Sequence, residues 1–252
     1  MIPAGNTDEI NNRFYDFLGE RWYSAMDDPV ALLRAEAEVR DSWVIQGLGR
    51  EFGSRPLKIL DIGCGAGFLA NALAVAGHQV NAMDSSRESL DVARRHDRTG
   101  SVVYEHGDAR QLTYPSGFFN AVCAMDFLEH VEDPSRIIAE ASRVLAPGGL
   151  FFFHTLNRNP VAWLIVIKGI EWFVNNAPKN MHLYRLFIRP GEMVCMCEMA
   201  GLEVVKLAGV GPKLFSSALL TLIRTGVPPA DFKFSIRRSR LIGYIGYARK
   251  GA

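Results

Sequence analysis

The chain is 252 residues long, 48% hydrophobic, and sets 28 Lys and Arg against 27 Asp and Glu for a net charge of +1. That length can bury the core of one α/β domain with room for an insertion, and the charge balance excludes a nucleic-acid binder that works by broad phosphate neutralisation. Four irregularly placed cysteines (64, 123, 195 and 197) exclude a disulfide scaffold and point to a reducing, cytoplasmic setting; no basic-then-apolar leader opens the chain, and no run of ~20 apolar residues spans a bilayer.

Asp28 and Pro29 open a first long helix, running roughly through Ala31 to Gly47, with Pro at its first position. An apolar run over 57–62 then passes Asp61 and meets Gly63-Cys64-Gly65-Ala66-Gly67. Glycines here let the backbone turn sharply and admit a ligand where a Cβ would block it. The next helix aims its free N–H groups and positive dipole end back at that turn, and it stops at Gly77. A second apolar run, 79–83, closes on Asp84, a carboxylate that accepts two ribose hydroxyl bonds at once. Strand, glycine turn, helix, strand and acid describe the nucleoside-binding half of an open parallel sheet. A dinucleotide fingerprint would need glycine at 68, where this chain has Phe.

Ser85 and Glu88 read as a capping box over a helix from Ser86 to His96. Strands over 101–105, 119–125 and 149–155 follow, with a helix from Asp133-Pro134 to just before Pro147 between the last two. Pro190-Gly191 opens a helix ending at Gly201, and 202–207 with 241–248 complete the sheet. Residues 157–189 interrupt this alternation. Trp163, Leu164, Ile167, Ile170 and Phe173 or Val174 share one helical face there. Two readings of 160–175 stay open: a lid packed on its own domain, or a surface that meets the membrane interface or a lipid tail.

The glycine turn with Asp84, the segment Gly107-Asp108-Ala109 after Val102-Val103-Tyr104, and the turn Arg143 to Leu150 before Phe151-Phe152-Phe153 together resemble the class I S-adenosylmethionine-dependent methyltransferases. The resemblance implies a Rossmann-like α/β fold: a seven-stranded sheet, mostly parallel with an antiparallel edge strand, helices on both faces, and a helical lid. It implies one domain over 1–252, with an N-terminal helical cap at 1–50, the lid insertion at 157–189 and a variable substrate-side segment at 208–240. S-adenosylmethionine is the implied cofactor. Its implied contacts are Asp61, Gly63 and Gly65 at the turn, Asp84 on the ribose, Asp108 and Met125 at the adenine side, and Arg40 on the methionine carboxylate. Asn120 stands where the family often has an acid, a position read as structural.

A finer resemblance rests on Asp126-Phe127-Leu128-Glu129-His130-Val131, Thr155-Leu156-Asn157-Arg158-Asn159, Ala177-Pro178-Lys179, His182, Phe187-Ile188-Arg189-Pro190 and Arg21-Trp22. These are similar to the ubiquinone-biosynthesis O-methyltransferases, the polyprenyl-hydroxyphenol methylases and 3-demethylubiquinol 3-O-methyltransferases. The similarity spans about residues 13–200 and fades after 205. It implies O-methylation of a hydroxylated, prenylated aromatic ring, in the cytoplasm or peripherally on the inner membrane face, with membrane contact through 160–175 and no nucleic acid. In that family an E-x-x-E-H segment is associated with a divalent cation, matched here by Asp126, Glu129 and His130 with Asp for the first Glu. Two readings stay open. Either Mg²⁺ held by these three acidifies the hydroxyl, or His130 is the general base beside Glu129 in a metal-free site, with an imidazole near its free pKa of ~6.5 and His154 as its rival. Two other functions also stay open: methylation of an amino sugar, carboxylate or polyketide, and binding of cofactor or membrane without turnover. Glu129 and His130 argue against the last, because pure binding does not need them.

Overall fold

The apolar runs assigned to strands form one eight-stranded sheet in the computed structural model, which describes residues 10–251. A 3₁₀ turn (Asn12–Phe17) and a short helix α1 (Arg21–Ser24) lead into the long α2 (Pro29–Phe52). Then follow β1 (Lys58–Ile62), α3 (Phe68–Val75), β2 (Gln79–Asp84), α4 (Arg87–His96), β3 (Val103–His106), β4 (Phe119–Met125), α5 (Pro134–Val144) and β5 (Leu145–Leu156). The lid holds α6 (Pro160–Ala162), a π-helical turn (Trp163–Lys168) and α7 (Gly169–Phe173). The chain closes with α8 (Pro190–Met199), β6 (Leu202–Pro212), α9 (Ser217–Thr225), β7 (Phe234–Arg237) and β8 (Gly243–Lys250).

The spatial order is β3-β2-β1-β4-β5-β8-β6-β7. The first five strands are parallel, β8 runs antiparallel to both β5 and β6, and β7 pairs antiparallel with β6 at the rim. The expected seven strands are therefore eight; the expected antiparallel edge strand is β7, and a further antiparallel strand, β8, lies inside the sheet. The reason is the length of β6. It continues to Pro212, past the expected 207, and its free edge at Gly209–Pro212 takes up Phe234–Arg237 from the segment expected to be variable.

Burial on both faces makes the central strands continuous apolar runs. Along β5 the side chains alternate. Phe152 packs with Trp43, Leu48 and Leu73 on the α2–α3 side, while Phe151 and Phe153 pack with Ile137, Ile138 and Met193 on the α5–α8 side. The same period of two carries forward. It turns His154 toward α2 and Thr155 toward the turn after β4. Pairing of Met125 with His154 in the β4–β5 register sets Asp126 beside that histidine.

Asp28, Ser86 and Asp133 cap α2, α4 and α5 by accepting from the N–H groups of Val30, Ser89 and Arg136. The cap of α4 is thus Ser86, one residue beyond the expected Ser85. Asn120 Oδ1 accepts from the Lys58 N–H at 2.9 Å, a structural role as read from the sequence. In the lid the π-turn shifts the helical register. Ala162, Val166 and Val174 are buried, whereas Trp163 and Leu164 of the expected face are exposed. All four cysteines are free thiols. No helix among the described residues is long and apolar enough to cross a membrane.

Candidate active site

The carboxyl ends of β1, β2, β4 and β5 open onto a cavity of about 1300 Å³, roofed by the 3₁₀ turn, α2 and the lid. This is the crevice where open α/β sheets bind ligands. Its two ends differ chemically.

One end is the glycine turn. Gly63 (φ +68°) and Gly65 (φ +51°) lie in left-handed backbone, and a Cβ on Gly63 would stand 2.6 Å from Phe127 Cγ. Only glycine meets both conditions. The Gly65 and Ser86 N–H groups donate to the two oxygens of Asp84, each at 2.8 Å. Burial pushes the Asp84 carboxyl above the usual range, and these backbone donors oppose the push. Asp61, also buried, is pushed up to about 8, by burial first and then by the Asp41 carboxylate, with Arg40 opposing. It therefore holds a proton at neutral pH. Trp22 lays the benzo edge of its ring against Gly65, and its buried Nε1 has no hydrogen-bond partner among the described residues. A carboxylate floor, a cradle that any Cβ would fill and an orphaned indole donor fit a nucleoside with polar edges.

The remaining expected cofactor residues also line the cavity. Arg40 is buried, donating from Nε to Asp41 at 3.1 Å and from Nη1 to Asp126. Met125 lies at the end of β4. Asp108 is at the rim, where Arg110 clamps its carboxylate and holds it below the usual range. Any adenine contact through Asp108 must share those oxygens.

Asp126, Glu129 and His130, expected as one metal set, are each engaged by different partners. The two oxygens of Asp126 face separate cations or donors, Arg40 Nη1 and His154 Nδ1. Glu129 is buried and accepts from Thr155 Oγ1 at 2.9 Å. His130 Nδ1 is 3.1 Å from Asn12 Oδ1. No group of three or more His, Cys, Asp or Glu poised to hold a metal ion exists among the described residues. Carboxylate oxygens already engaged this way do not fit Mg²⁺, which takes its ligands at near-octahedral geometry.

The candidate bases also fall in unexpected settings. His130 packs edge-on to Tyr15 and beside His182, with ring centroids 5.7 and 5.3 Å away. Burial lowers its pKa to about 4, not the near-free value expected from the sequence, so it is neutral and a weak proton acceptor at pH 7. His154 is fully buried. Its Nδ1 pairs with Asp126, and its Nε2 is 3.5 Å from Glu36 Oε1. Burial pulls its pKa down, while the Glu36 and Glu129 carboxylates push it up. Burial also pushes the Glu129 carboxyl up.

Sequence reasoning missed Glu36, Asp41 and Tyr15. A signal existed for Glu36, which precedes Arg40 by one helical turn and so shares its face of α2. The apolar end of the cavity draws on the lid face and the 208–240 segment read as tail- and substrate-facing, though Leu219, Leu222, Phe232 and Ile242 were not singled out. It is lined by Ile170 and Phe173 of α7, Leu219 and Leu222 of α9, Phe232 and Ile242.

A family profile described as "Methyltransferase domain" matches residues 60–153. The ubiquinone biosynthesis O-methyltransferase of Bordetella bronchiseptica is 34% identical over 211 residues, covering 82% of this chain and 86% of that protein. That of Thiobacillus denitrificans is 41% identical over 157 residues, covering 61% and 67%. Among solved structures, magnesium protoporphyrin IX methyltransferase from Synechocystis, with bound SAH, superposes with a TM-score of 0.65 at 17% identity over 94% of this chain and 98% of that one. A methyltransferase from Mesorhizobium loti gives 0.56 at 18% identity over 85% and 100%. Both structural likenesses bear on the fold alone.

Proposed function

This chain belongs to the family of ubiquinone biosynthesis O-methyltransferases and is an S-adenosylmethionine-dependent methyltransferase; from that premise we propose that it methylates a ring hydroxyl of a phenol or catechol carrying a long apolar tail, a polyprenylated quinone precursor. The observation that carries this reading is the continuity of the cavity. Its polar end at Gly63, Gly65 and Asp84 and its apolar end between α7 and α9 line one and the same cavity. A ring between the two ends has its hydroxyl toward the cofactor and its tail among Ile170, Phe173, Leu219 and Leu222.

S-adenosylmethionine supplies a methyl group already activated on a sulfonium, so the hard chemistry is the cofactor's. The protein's share is alignment and proton removal. In this reading Asp84 holds the ribose, the bend at Gly63 and Gly65 meets the methionine portion with Arg40, Asp61 supports the turn, and Met125 packs the adenine side. Asp108 contacts the adenine edge while sharing its carboxylate with Arg110. Glu129 and His130 shape the ring pocket, closed from above by Tyr15 and His182.

Methyl transfer from labelled cofactor to catechols bearing no, butyl, octyl and farnesyl chains tests the reading. KM falls as the chain lengthens, because each buried CH₂ contributes ~0.8 kcal/mol. Equal KM values along the series, or preference for an amino sugar or a carboxylate acceptor, defeat it.

A second reading concerns where the tail comes from. Trp163, Leu164, Trp172 and Phe173 of the lid, with Leu214, Phe215, Leu220 and Ile223 around α9, are exposed apolar side chains. The helices carrying them also wall the apolar end of the cavity. Such a ridge suits insertion into a membrane interface, from which the tail passes directly between α7 and α9. Ile167 and Ile170, by contrast, pack inward on Leu156 and Val166. The test therefore falls on Phe215 and Leu220, which line no part of the cavity. Phe215→Asp with Leu220→Asp abolishes co-sedimentation with anionic liposomes and leaves turnover of a short-chain catechol intact. Undiminished liposome binding refutes it.

A further inference from the structure

Three residues of α2 at successive turns, Leu32, Glu36 and Arg40, line the cavity. Leu32 packs at the apolar end with Val174, Ala218 and Leu222. Arg40 is at the cofactor end, joined to Asp126. Each step along this face rises ~6 Å, so Glu36 lies midway, at the level where a ring bridging the two ends must sit. Its side chain is 15% exposed, and its one ion-pair partner among the described residues is His154 Nε2 at 3.5 Å. That nitrogen is buried and makes no hydrogen bond there. Asp126 holds the other ring nitrogen, which fixes the plane of the imidazole. Three other acid-base side chains of the cavity wall are otherwise engaged: Glu129 by Thr155, His130 by Asn12, Asp84 by the backbone.

We propose that Glu36 is the catalytic residue that accepts the proton of the ring hydroxyl, with His154 as the positioning residue behind it and Asp126 as the anchor of His154. The inference rests on the proposed O-methylation and deepens it. The O–H bond of the ring breaks and its proton passes to a Glu36 oxygen. The freed oxygen pair forms the O–CH₃ bond as the S–CH₃ bond breaks, its electrons remaining on sulfur, so the sulfonium becomes a neutral thioether. Glu36 then returns the proton to solvent. His154 faces Asp126, Glu129, Arg40 and Glu36. This set keeps the imidazole oriented toward the carboxylate rather than toward substrate, since His154 itself is fully buried.

The test compares wild type, Glu36→Gln and Glu36→Asp on an octylcatechol and on an octyl-nitrocatechol, whose hydroxyl is far more acidic. Glu36→Gln lowers kcat on the octylcatechol by about 10²–10⁴-fold, the range for loss of a general base. Glu36→Asp restores part of it, and the nitrocatechol loses much less because it needs less help to ionise. A second readout needs no turnover. The absorbance of bound nitrocatechol, with the thioether product form of the cofactor present, reports its ionisation. Removing a carboxylate from beside the hydroxyl lowers the ionisation midpoint by about one unit or more. His154→Asn lowers kcat while KM holds, because Glu36 loses its orientation. If Glu36→Gln affects both catechols equally and leaves the midpoint unmoved, Glu36 does not face the hydroxyl and the inference falls alone. If the wild type methylates neither catechol, the parent reading falls and takes this one with it.

Discussion

Replacing Asp61 by Asn removes a charge that the folded protein resists forming. Burial and the Asp41 and Asp84 carboxylates raise this carboxyl from an ordinary 3.8 to about 8, against the pull of Arg40. In the unfolded chain Asp61 ionises near pH 4, so between pH 4 and 8 the native state binds the extra proton. Stability must fall with rising pH over that window, by at most ~1.4 kcal/mol per unit for this one group. Below pH 4 its contribution is fully present; above pH 8 it is fully lost. Between pH 5 and 7 wild type should lose about 3 kcal/mol that Asp61→Asn, equal in shape but uncharged, does not lose. Asp41 and Asp84, both pushed up by burial, are present in both proteins and largely cancel in the difference. Urea unfolding of both proteins at pH 5, 6 and 7 measures it, the variant gaining on wild type at each step. Parallel curves, within roughly 0.5 kcal/mol, would show that Asp61 is ionised in the folded state and that the electrostatic account of the turn is wrong.

Three further outcomes follow from the site. Gly63→Ala puts a Cβ against the Phe127 ring in left-handed backbone; calorimetric cofactor affinity should drop by at least about tenfold, and unchanged affinity would mean the turn does not touch the cofactor. Because Asp126 is engaged by Arg40 and His154, turnover should stay within about twofold in excess chelator; a tenfold loss restored by Mg²⁺ would refute the side-chain assignments. Leu222→Gln should raise KM for an octylcatechol about tenfold more than for unsubstituted catechol, since it sets a polar amide in the apolar end; equal effects on both would place the tail elsewhere.

What was legible in the sequence is what local pattern controls. The glycine turn, Asp84 and the caps at Asp28 and Asp133 depend on residues within a few positions of one another. The strand runs were legible because two-sided burial leaves an unbroken apolar signature. β7 was not, since Phe234–Arg237 is a short edge strand of half-buried residues whose partner is a free edge created by the length of β6. The π-turn was not either. Nothing in Trp163–Lys168 distinguishes i→i+5 from i→i+4 bonding, and the resulting shift moved the buried face from Trp163 to Val166. His130 and Glu129 were legible as site residues, but their chemistry depends on depth, and depth is a tertiary quantity.

The departure at position 126 shows how one local substitution and one distant contact belong together. Asp126 has φ +51°, a left-handed conformation that Asp tolerates better than Glu because its short side chain bonds locally. Its N–H donates to the His154 carbonyl at 3.3 Å, which ties the turn to β5. The short carboxylate then lies between Arg40 on α2 and the His154 ring on β5, and its two oxygens neutralise one and orient the other. A longer acid at 126 would push a methylene into that gap, and a small hydroxyl residue at 154 would leave Asp126 with an unused oxygen. The Asp at 126 and the His at 154 are thus two halves of one device that joins α2 to the sheet. By holding Arg40 and the imidazole behind Glu36, it fixes at once the cofactor end of the cavity and the point where the substrate's proton leaves.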